Sequence, residues 1–176
     1  GDTDTSIDGM TIVTFEVNGV AYPAGMMVDL GSGASLTVNA DGSFVLVPGA
    51  LFDNLAVGDS QPFAFNYTND EAETASVNVT INGANDAPVV TQTSNSGDED
   101  TVIFGQVPVA TDVDDGATIV SYQLTDAAPT GLFFGSDGSY NLDASDFDYL
   151  AEGETADVVV SYTATDDQGG VSAPQT

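Results

Sequence analysis

The stretch SVNVTINGANDAPVV, residues 76–90, decides the fold. Val77, Val79 and Ile81 alternate with Asn78 and Thr80, the period-2 pattern of a half-buried strand. The strand-like run ends in Asn82, Asn85 and Asp86, and Pro88 follows. Pro88 cannot donate to a sheet ladder, and it restricts Ala87 to extended conformations. The stretch therefore predicts a strand and then a short, straight connector, unlike a flexible Gly/Ser tether.

The same period recurs on both sides of it. Phe63, Phe65 and Tyr67 share one face of FAFNYT, and Val158, Val160 and Tyr162 share one face of DVVVSYTAT. In TIVSYQL the alternation selects Val120, Tyr122 and Leu124. Turn signals separate these runs at Asn18-Gly19, Asp41-Gly42, Asp137-Gly138 and Gly169-Gly170. No segment holds a helical period over ten residues. Short strands with regular turns predict an all-β sandwich. The chain also repeats itself. NADGSFVL (39–46) matches GSDGSYNL (135–142), and FDNLAVGD (52–59) matches FDYLAEGE (147–154). The following NYT (66–68) matches SYT (161–163), and NDEAE (69–73) stands where the second copy has TDDQGG. The offset of about 95 residues suits a seven-stranded sandwich. Two modules follow, residues 1–86 and 87–176, with NGANDAPVV as the joint.

Composition narrows the chemistry. The 176 residues carry 28 Asp plus Glu and no Lys, Arg or His, for a net charge of −28. At 41% apolar residues the chain can still build a core. No internal ion pair can form, so each carboxylate faces water, another carboxylate, a hydrogen-bond donor or a bound cation. Two like charges about 4 Å apart interact by roughly 4 kcal/mol at an effective dielectric of about 20. The charge argues against nucleic acid and against an anionic membrane surface as partners. No apolar run is long enough to span a bilayer, and no signal peptide is visible, so no membrane insertion is expected. The chain reads as an internal fragment of something longer. With no Cys there is neither a disulfide nor a thiolate site. Triad, thiol and Schiff-base catalysis all lack their residues, so no enzyme is expected. A carboxylate-pair glycosidase remains formally possible, but there is no Trp to form a sugar platform.

Three acidic clusters carry the remaining chemistry. They are the joint (Asn82, Asn85, Asp86), ATDVDDG at 110–116 (Asp112, Asp114, Asp115) and ATDDQGG at 164–170 (Asp166, Asp167). In an extended segment the DxD pair points one way, and loops at one end of a second sandwich would meet the joint. Calcium takes six to eight oxygens from carboxylates, amides and carbonyls, and these clusters offer that donor set. The EF-hand pattern fails, because Gln123 stands where a bidentate Glu is needed. Zinc has no His or Cys to bind. Asp41 and Asp137, by contrast, read as simple turn formers.

These residues also carry a family resemblance. GQVPVATDVDDGA, DGSYNLDASDFDYLAEGE and VSYTATDDQGG resemble the VCBS and cadherin-like repeats of large RTX-type bacterial surface adhesins, and NGANDAP resembles the junction between such repeats. IVTFEVNGVAYPAG is similar to the first half of a bacterial Ig-like repeat. The resemblance implies two tandem Ig-like/cadherin-like β-sandwich domains in an extended arrangement, with Ca2+ between them. By position, Asn85 and Asp86 match the junction ligands, Asp112 and Asp114 the DxD pair, and Asp166 the acidic loop residue. Asp53 and Asp59 would close the site from the first module, while Glu99 would serve the next junction. A second site at the N-terminal end would rest on Asp2, Asp4, Asp70 and Glu71.

The expected function is that of calcium-rigidified extender repeats, which project a ligand-binding region from the cell for attachment or biofilm formation. The implied setting is the bacterial surface after type I secretion, with calcium ions and neighbouring repeats of the same chain as partners, and the protein otherwise monomeric. Two alternatives stand beside it. One is a calcium-dependent glycan- or protein-binding module. The other is an acidic surface that reflects only a salty habitat, where net charge maintains solubility.

Overall fold

The computed structural model describes residues 10–176. Strands are its main regular elements, with short 3-10 turns at Gly49–Leu51 and Ala144–Phe147. The chain divides into two compact units, the first ending at Ala84 and the second running Asn85–Thr176. The division falls two residues ahead of the expected boundary, because Asn85 and Asp86 bond to residues of the second unit.

The first unit contains β1 (Ile12–Val17), β2 (Val20–Pro23), β3 (Met27–Gly31), β4 (Ala34–Val38), β5 (Phe44–Val47), β6 (Ser60–Asn69) and β7 (Thr74–Asn82). They form two antiparallel sheets, β2-β1-β6-β7 and β3-β4-β5. Ile12, Phe15, Val17 and Phe65 from the first sheet meet Val28, Leu36 and Val38 from the second in one core. The predicted alternation of β6 and β7 holds. Phe63, Phe65 and Tyr67 are turned inward, as are Val77, Val79 and Ile81.

The second unit contains β8 (Val102–Gln106), β9 (Ile119–Leu124), β10 (Leu132–Phe134), β11 (Ser139–Asp143) and β12 (Tyr162–Asp166). Its sheets are β10-β11-β8 and β12-β9, and bridges from Thr165 to Val171 and from Tyr162 to Gln175 widen the latter. Val90, Val107, Ala110, Tyr122, Tyr162 and Ala164 form the core. Both buried tyrosines have hydrogen-bond partners, as buried hydroxyls require. Tyr162 donates to the Thr91 carbonyl, and the Tyr122 hydroxyl accepts the Ala110 N–H at 2.8 Å. Val89 pairs with Thr111. Together these contacts hold the segment after Asn85 against the DVDDG loop.

Two expectations change in detail. Val120 does not share a face with Tyr122, for it is 57% exposed. The register slips between Ile119 and Ser121, so a bulge consumes one residue and Ile119 takes the inward place. The first unit carries the same bulge at Val13, between Ile12 and Thr14. In DVVVSYTAT the alternation holds, with Val158 and Val160 half-buried and Val159 exposed, but the regular ladder begins only at Tyr162.

The units are structural repeats. β4–β5 pairs Leu36 with Leu46 around Asp41-Gly42, and β10–β11 pairs Leu132 with Leu142 around Asp137-Gly138. β1–β6 sets Ile12 against Asn69, and β9–β12 sets Ile119 against Asp166. This register aligns NYT (66–68) with TAT (163–165) rather than with SYT (161–163). A slip of two leaves every side chain on its own face, so the sequence pattern tolerates either alignment.

Candidate metal centre

The site residues lie at one end of the second unit. At the end of β12 the chain turns back through Asp166-Asp167-Gln168-Gly169-Gly170. The Asp166 Oδ1 accepts the N–H groups of Gln168 at 2.8 Å and Gly170 at 2.9 Å. Gly169, at φ 91°, supplies the left-handed residue this turn needs. Oδ2 of Asp166 accepts Asn85 Nδ2 at 3.0 Å. Burial pushes the Asp166 carboxyl up, but the Asn85 amide and the N–H groups of Gly170, Gln168 and Gly169 outweigh it and hold it below the usual carboxylate range.

The DVDDG loop approaches the same residues. The Asp112 Oδ1 accepts the Asp114 N–H at 3.0 Å, and the Asp114 Oδ2 accepts the Asp86 N–H at 2.8 Å. Asp114 is 5% exposed and Asp166 is 1% exposed. Gly170 makes the close approach possible. A Cβ there would lie 2.3 Å from Asp166 Oδ2, 2.4 Å from Asn85 Nδ2 and 3.2 Å from the Asp86 carbonyl oxygen.

Asp166 engages both of its oxygens, whereas Asn85, Asp112 and Asp114 each use one polar atom for internal bonding and leave another over. Asn85 Oδ1, Asp112 Oδ2 and Asp114 Oδ1 are buried with no hydrogen-bond partner. An unsatisfied buried polar atom costs about 1–3 kcal/mol, and more when it is charged. The three are all hard oxygens, two from carboxylates and one from an amide, which fits calcium and excludes soft-metal chemistry. Among the described residues, no three His, Cys, Asp or Glu side chains gather closely enough to hold a metal by themselves. A donor set here would instead be mixed, with Asn85 offering an amide oxygen, while Asp166 is already committed to orienting Asn85.

The structure thus gathers Asn85, Asp86, Asp112, Asp114 and Asp166 within the second unit. Asp86 enters through its backbone N–H, and its side chain is exposed. Asp53 is exposed in the first unit, after the Gly49–Leu51 turn. Asp2 and Asp4 lie outside the described residues. Asp70 is exposed, and its Oδ1 accepts the Thr11 N–H at 3.3 Å while its own N–H reaches the Thr11 carbonyl at 3.0 Å. Asp167 makes the same paired contact with Thr118. Sequence reasoning passed over Gly170, whose spacing signalled only a turn.

The equivalent loop of the first unit, Asn69–Glu73, copies the backbone of Asp166–Gly170. The Asn69 Oδ1 accepts Glu71 N–H at 3.1 Å and Glu73 N–H at 2.8 Å. Asn69 N–H reaches the Glu73 carbonyl at 3.0 Å, as Asp166 N–H reaches that of Gly170 at 3.1 Å. The chemistry differs. Asn69 is neutral, and its Nδ2 donates to Glu73 Oε2 at 3.3 Å and to Met10 Sδ at 3.0 Å. Glu73 holds the position of Gly170, and its carboxylate pairs with Asn69 where Asn85 pairs with Asp166 in the second unit.

No family model and no curated protein matches this chain. Among solved structures, murine CEACAM1b aligns at 11% identity and a TM-score of 0.27, over 93% of this chain and 84% of that one. PcdhgB3 EC1-4 aligns at 15% identity and a TM-score of 0.38, over 93% of this chain and 43% of that one. Protocadherin gamma B2 extracellular cadherin domains 3–6 align at 20% identity and a TM-score of 0.34, over 94% and 41%. The chain spans less than half the length of the two protocadherin structures.

Proposed function

We propose that the second unit binds Ca2+ through Asn85, Asp112 and Asp114, and that the ion stiffens the start of this unit in a secreted adhesin built of tandem repeats. The observation that carries the reading is the set of three buried oxygens without partners, Asn85 Oδ1, Asp112 Oδ2 and Asp114 Oδ1. When bound, calcium supplies the positive charge that a chain with no Lys, Arg or His cannot supply itself. Asp166 positions Asn85, and the Asp86 N–H positions Asp114. Because Asn85 and Asp86 follow directly on the first unit, fixing them fixes the chain where it enters the second. In a tandem array that makes each repeat a spacer, in keeping with the VCBS and cadherin-like resemblance of the sequence and with an extracellular, type I secreted setting. No step of this reading is catalytic.

Extracellular calcium modules bind at about 10⁻⁴ to 10⁻³ M, so calorimetric titration at millimolar calcium tests the site. Asp114→Asn should weaken binding more than about tenfold. Magnesium or sodium giving the same heat and the same melting shift as calcium would defeat the reading in favour of general charge screening. Small-angle scattering with calcium and with EGTA tests the spacer role, where a maximum dimension indifferent to calcium counts against it. One feature favours the second reading, a glycan-binding module. An open cavity of about 430 Å³ beside β9 is lined by Tyr122, Gln123, Asp126 and Phe134, among others. A reproducible calcium-dependent hit on a glycan array would establish it.

A further inference from the structure

The outer face of the sheet β10-β11-β8 carries an aromatic row. β11 is the middle strand, and its Asn141 stands opposite Phe133 on one side and Phe104 on the other. Cross-strand partners share a face, so the three side chains form one line across the sheet. Phe104 is 73% exposed and Phe133 60%, whereas Phe134, the next residue of β10, turns inward to Tyr162. Burial of a phenyl ring is strongly favourable, so two rings left in water on one face mark a contact surface. Every residue of this face lies in the second unit, which is described throughout.

The geometry of the row suits a sugar chain. The two aromatic positions are two strand spacings apart, roughly 9–10 Å, about the length of a disaccharide in an extended polysaccharide. On β10 the positions two residues to either side of Phe133 are Gly131 and Gly135, which carry no side chain to crowd its ring. Between the rings Asn141 offers an amide donor and an amide acceptor. A sugar ring has a C–H face that stacks on a phenyl ring and hydroxyls at its rim that bond an amide, which matches the order ring, amide, ring. The row is uncharged in a chain of net charge −28, which selects a neutral ligand over an anionic one. A standard protein interface covers about 800 Å² on each partner. Here the apolar strip is too narrow for that, since Ser139 and Gln106 bound it on one side and Asp143 on the other. Nor is the row a by-product of the shared fold. In the first unit the matching positions, four residues before and after Asp41 instead of Asp137, are Thr37 and Val45. Met27 completes that row, which holds no aromatic residue.

We propose that Phe104, Asn141 and Phe133 form a binding site for a neutral polysaccharide, whose chain crosses the three strands. One sugar ring stacks on each phenyl face, and Asn141 bonds the hydroxyls between them. The site is separate from the calcium residues and from the cavity beside β9, which Phe134 lines from the opposite face of β10. It depends on neither the ion nor the spacer role.

The test is electrophoresis of the whole chain in native gels with and without hydroxyethylcellulose, galactomannan or alginate, with serum albumin as the non-binding reference. Retardation relative to albumin is expected in at least one of the two neutral polymers, unchanged by EGTA, and none in alginate. Phe104→Ala and Phe133→Ala should each weaken it by about threefold or more, the loss of one aromatic contact. Phe104→Leu, which keeps apolar bulk but removes the ring, should weaken it similarly, and Met27→Ala should behave as the parent. These positions are exposed, so thermal melting should be nearly unchanged in all four variants. No retardation in either neutral polymer, or retardation that both phenylalanine positions can lose without effect, overturns the proposal. So does retardation abolished by EGTA, which would assign the glycan to the calcium residues, or equal retardation in alginate. A chain that ignores both neutral polymers but forms a dimer broken by Phe104→Ala overturns it as well, because the occupant is then protein.

Discussion

The loops Asn69–Glu73 and Asp166–Gly170 share one backbone and differ in what they leave unpaired. Both wrap five residues around a side-chain oxygen that accepts two N–H groups. In the first unit the amide of Asn69 also satisfies its own Nδ2 through Glu73 and Met10. In the second, Asn85 Nδ2 completes the bonding of Asp166, and the orphaned oxygens are those of Asn85, Asp112 and Asp114. The turn geometry itself therefore asks for no ion. On the proposed reading, the demand for a cation would come from the oxygens buried beside it with nothing to donate to them.

That difference predicts an asymmetric calcium response, the largest effect expected. Calcium at 100 times its dissociation constant adds about 2.7 kcal/mol to whatever binds it. Hydrogen exchange of the whole chain should slow around 84–90, 110–118 and 164–172, and remain within about twofold at 66–76. Equal protection at both loops would break the comparison.

Gly170→Ala is the next largest. Its Cβ would meet Asp166 Oδ2 and Asn85 Nδ2 at 2.3 and 2.4 Å, so the variant should lose about 1–3 kcal/mol, the usual cost of overpacking, and should bind calcium at least about tenfold more weakly. Glu73→Ala, at the matching position, should cost less than about 1 kcal/mol, as expected for a side chain at an exposed position. Chemical denaturation and calorimetry of both variants check this pair. A Gly170→Ala chain that binds calcium as the parent does would show that Asn85 is not held against Asp166.

A smaller effect of opposite sign follows from Ala72. It sits at φ 64°, where the second unit has Gly169 at 91°. A left-handed non-glycine residue costs about 1–2 kcal/mol, part of which glycine returns through its freer unfolded chain. Ala72→Gly should therefore stabilise the first unit by about 0.5–1 kcal/mol, seen as slower exchange at 66–76. Destabilisation would mean that the Ala72 side chain makes a contact worth more than the strain.

The same particulars show what the sequence could reveal. Period-2 runs located β6, β7 and most of β9, and the two DG turns located both hairpins, because a half-buried antiparallel strand writes its faces directly into the chain. The bulges at Val13 and Val120 were not legible. An extra residue shifts parity without any compositional mark, and Val is as much at home inward as outward. The site residues on the second unit were legible as types in a pattern. Which atom of each is engaged was not, since it depends on Asn85 reaching Asp166 across 81 positions of sequence. Asp70 was legible as an acidic residue at a strand end, and its contact with Thr11 repeats that of Asp167 with Thr118, while Asp2 and Asp4, expected beside it, lie outside the described residues. Glu73 for Gly170 was visible all along, but it becomes meaningful only once the two loops are superposed.

The smallest effect concerns the turns in which the units agree. Ser43 N–H and hydroxyl bond Asp41 Oδ1 at 3.0 and 2.7 Å, and Ser139 does the same to Asp137 at 3.0 and 2.6 Å. In both, the serine hydroxyl and then its N–H hold the carboxyl below its ordinary 3.8. A carboxyl whose folded value is depressed adds stability that is complete above the unfolded value and is lost as pH falls through the folded one. Each turn should thus weaken only below about pH 3.8. A carbon-13 titration of the side-chain carboxyls should place both aspartates below 3.8 and close to one another. Because both carboxylates are solvent-exposed and each commits its Oδ1 to a serine, calcium should leave the two midpoints unmoved. Separation of Asp41 from Asp137, or movement of either with calcium, would show that the units differ even where their hydrogen bonds coincide.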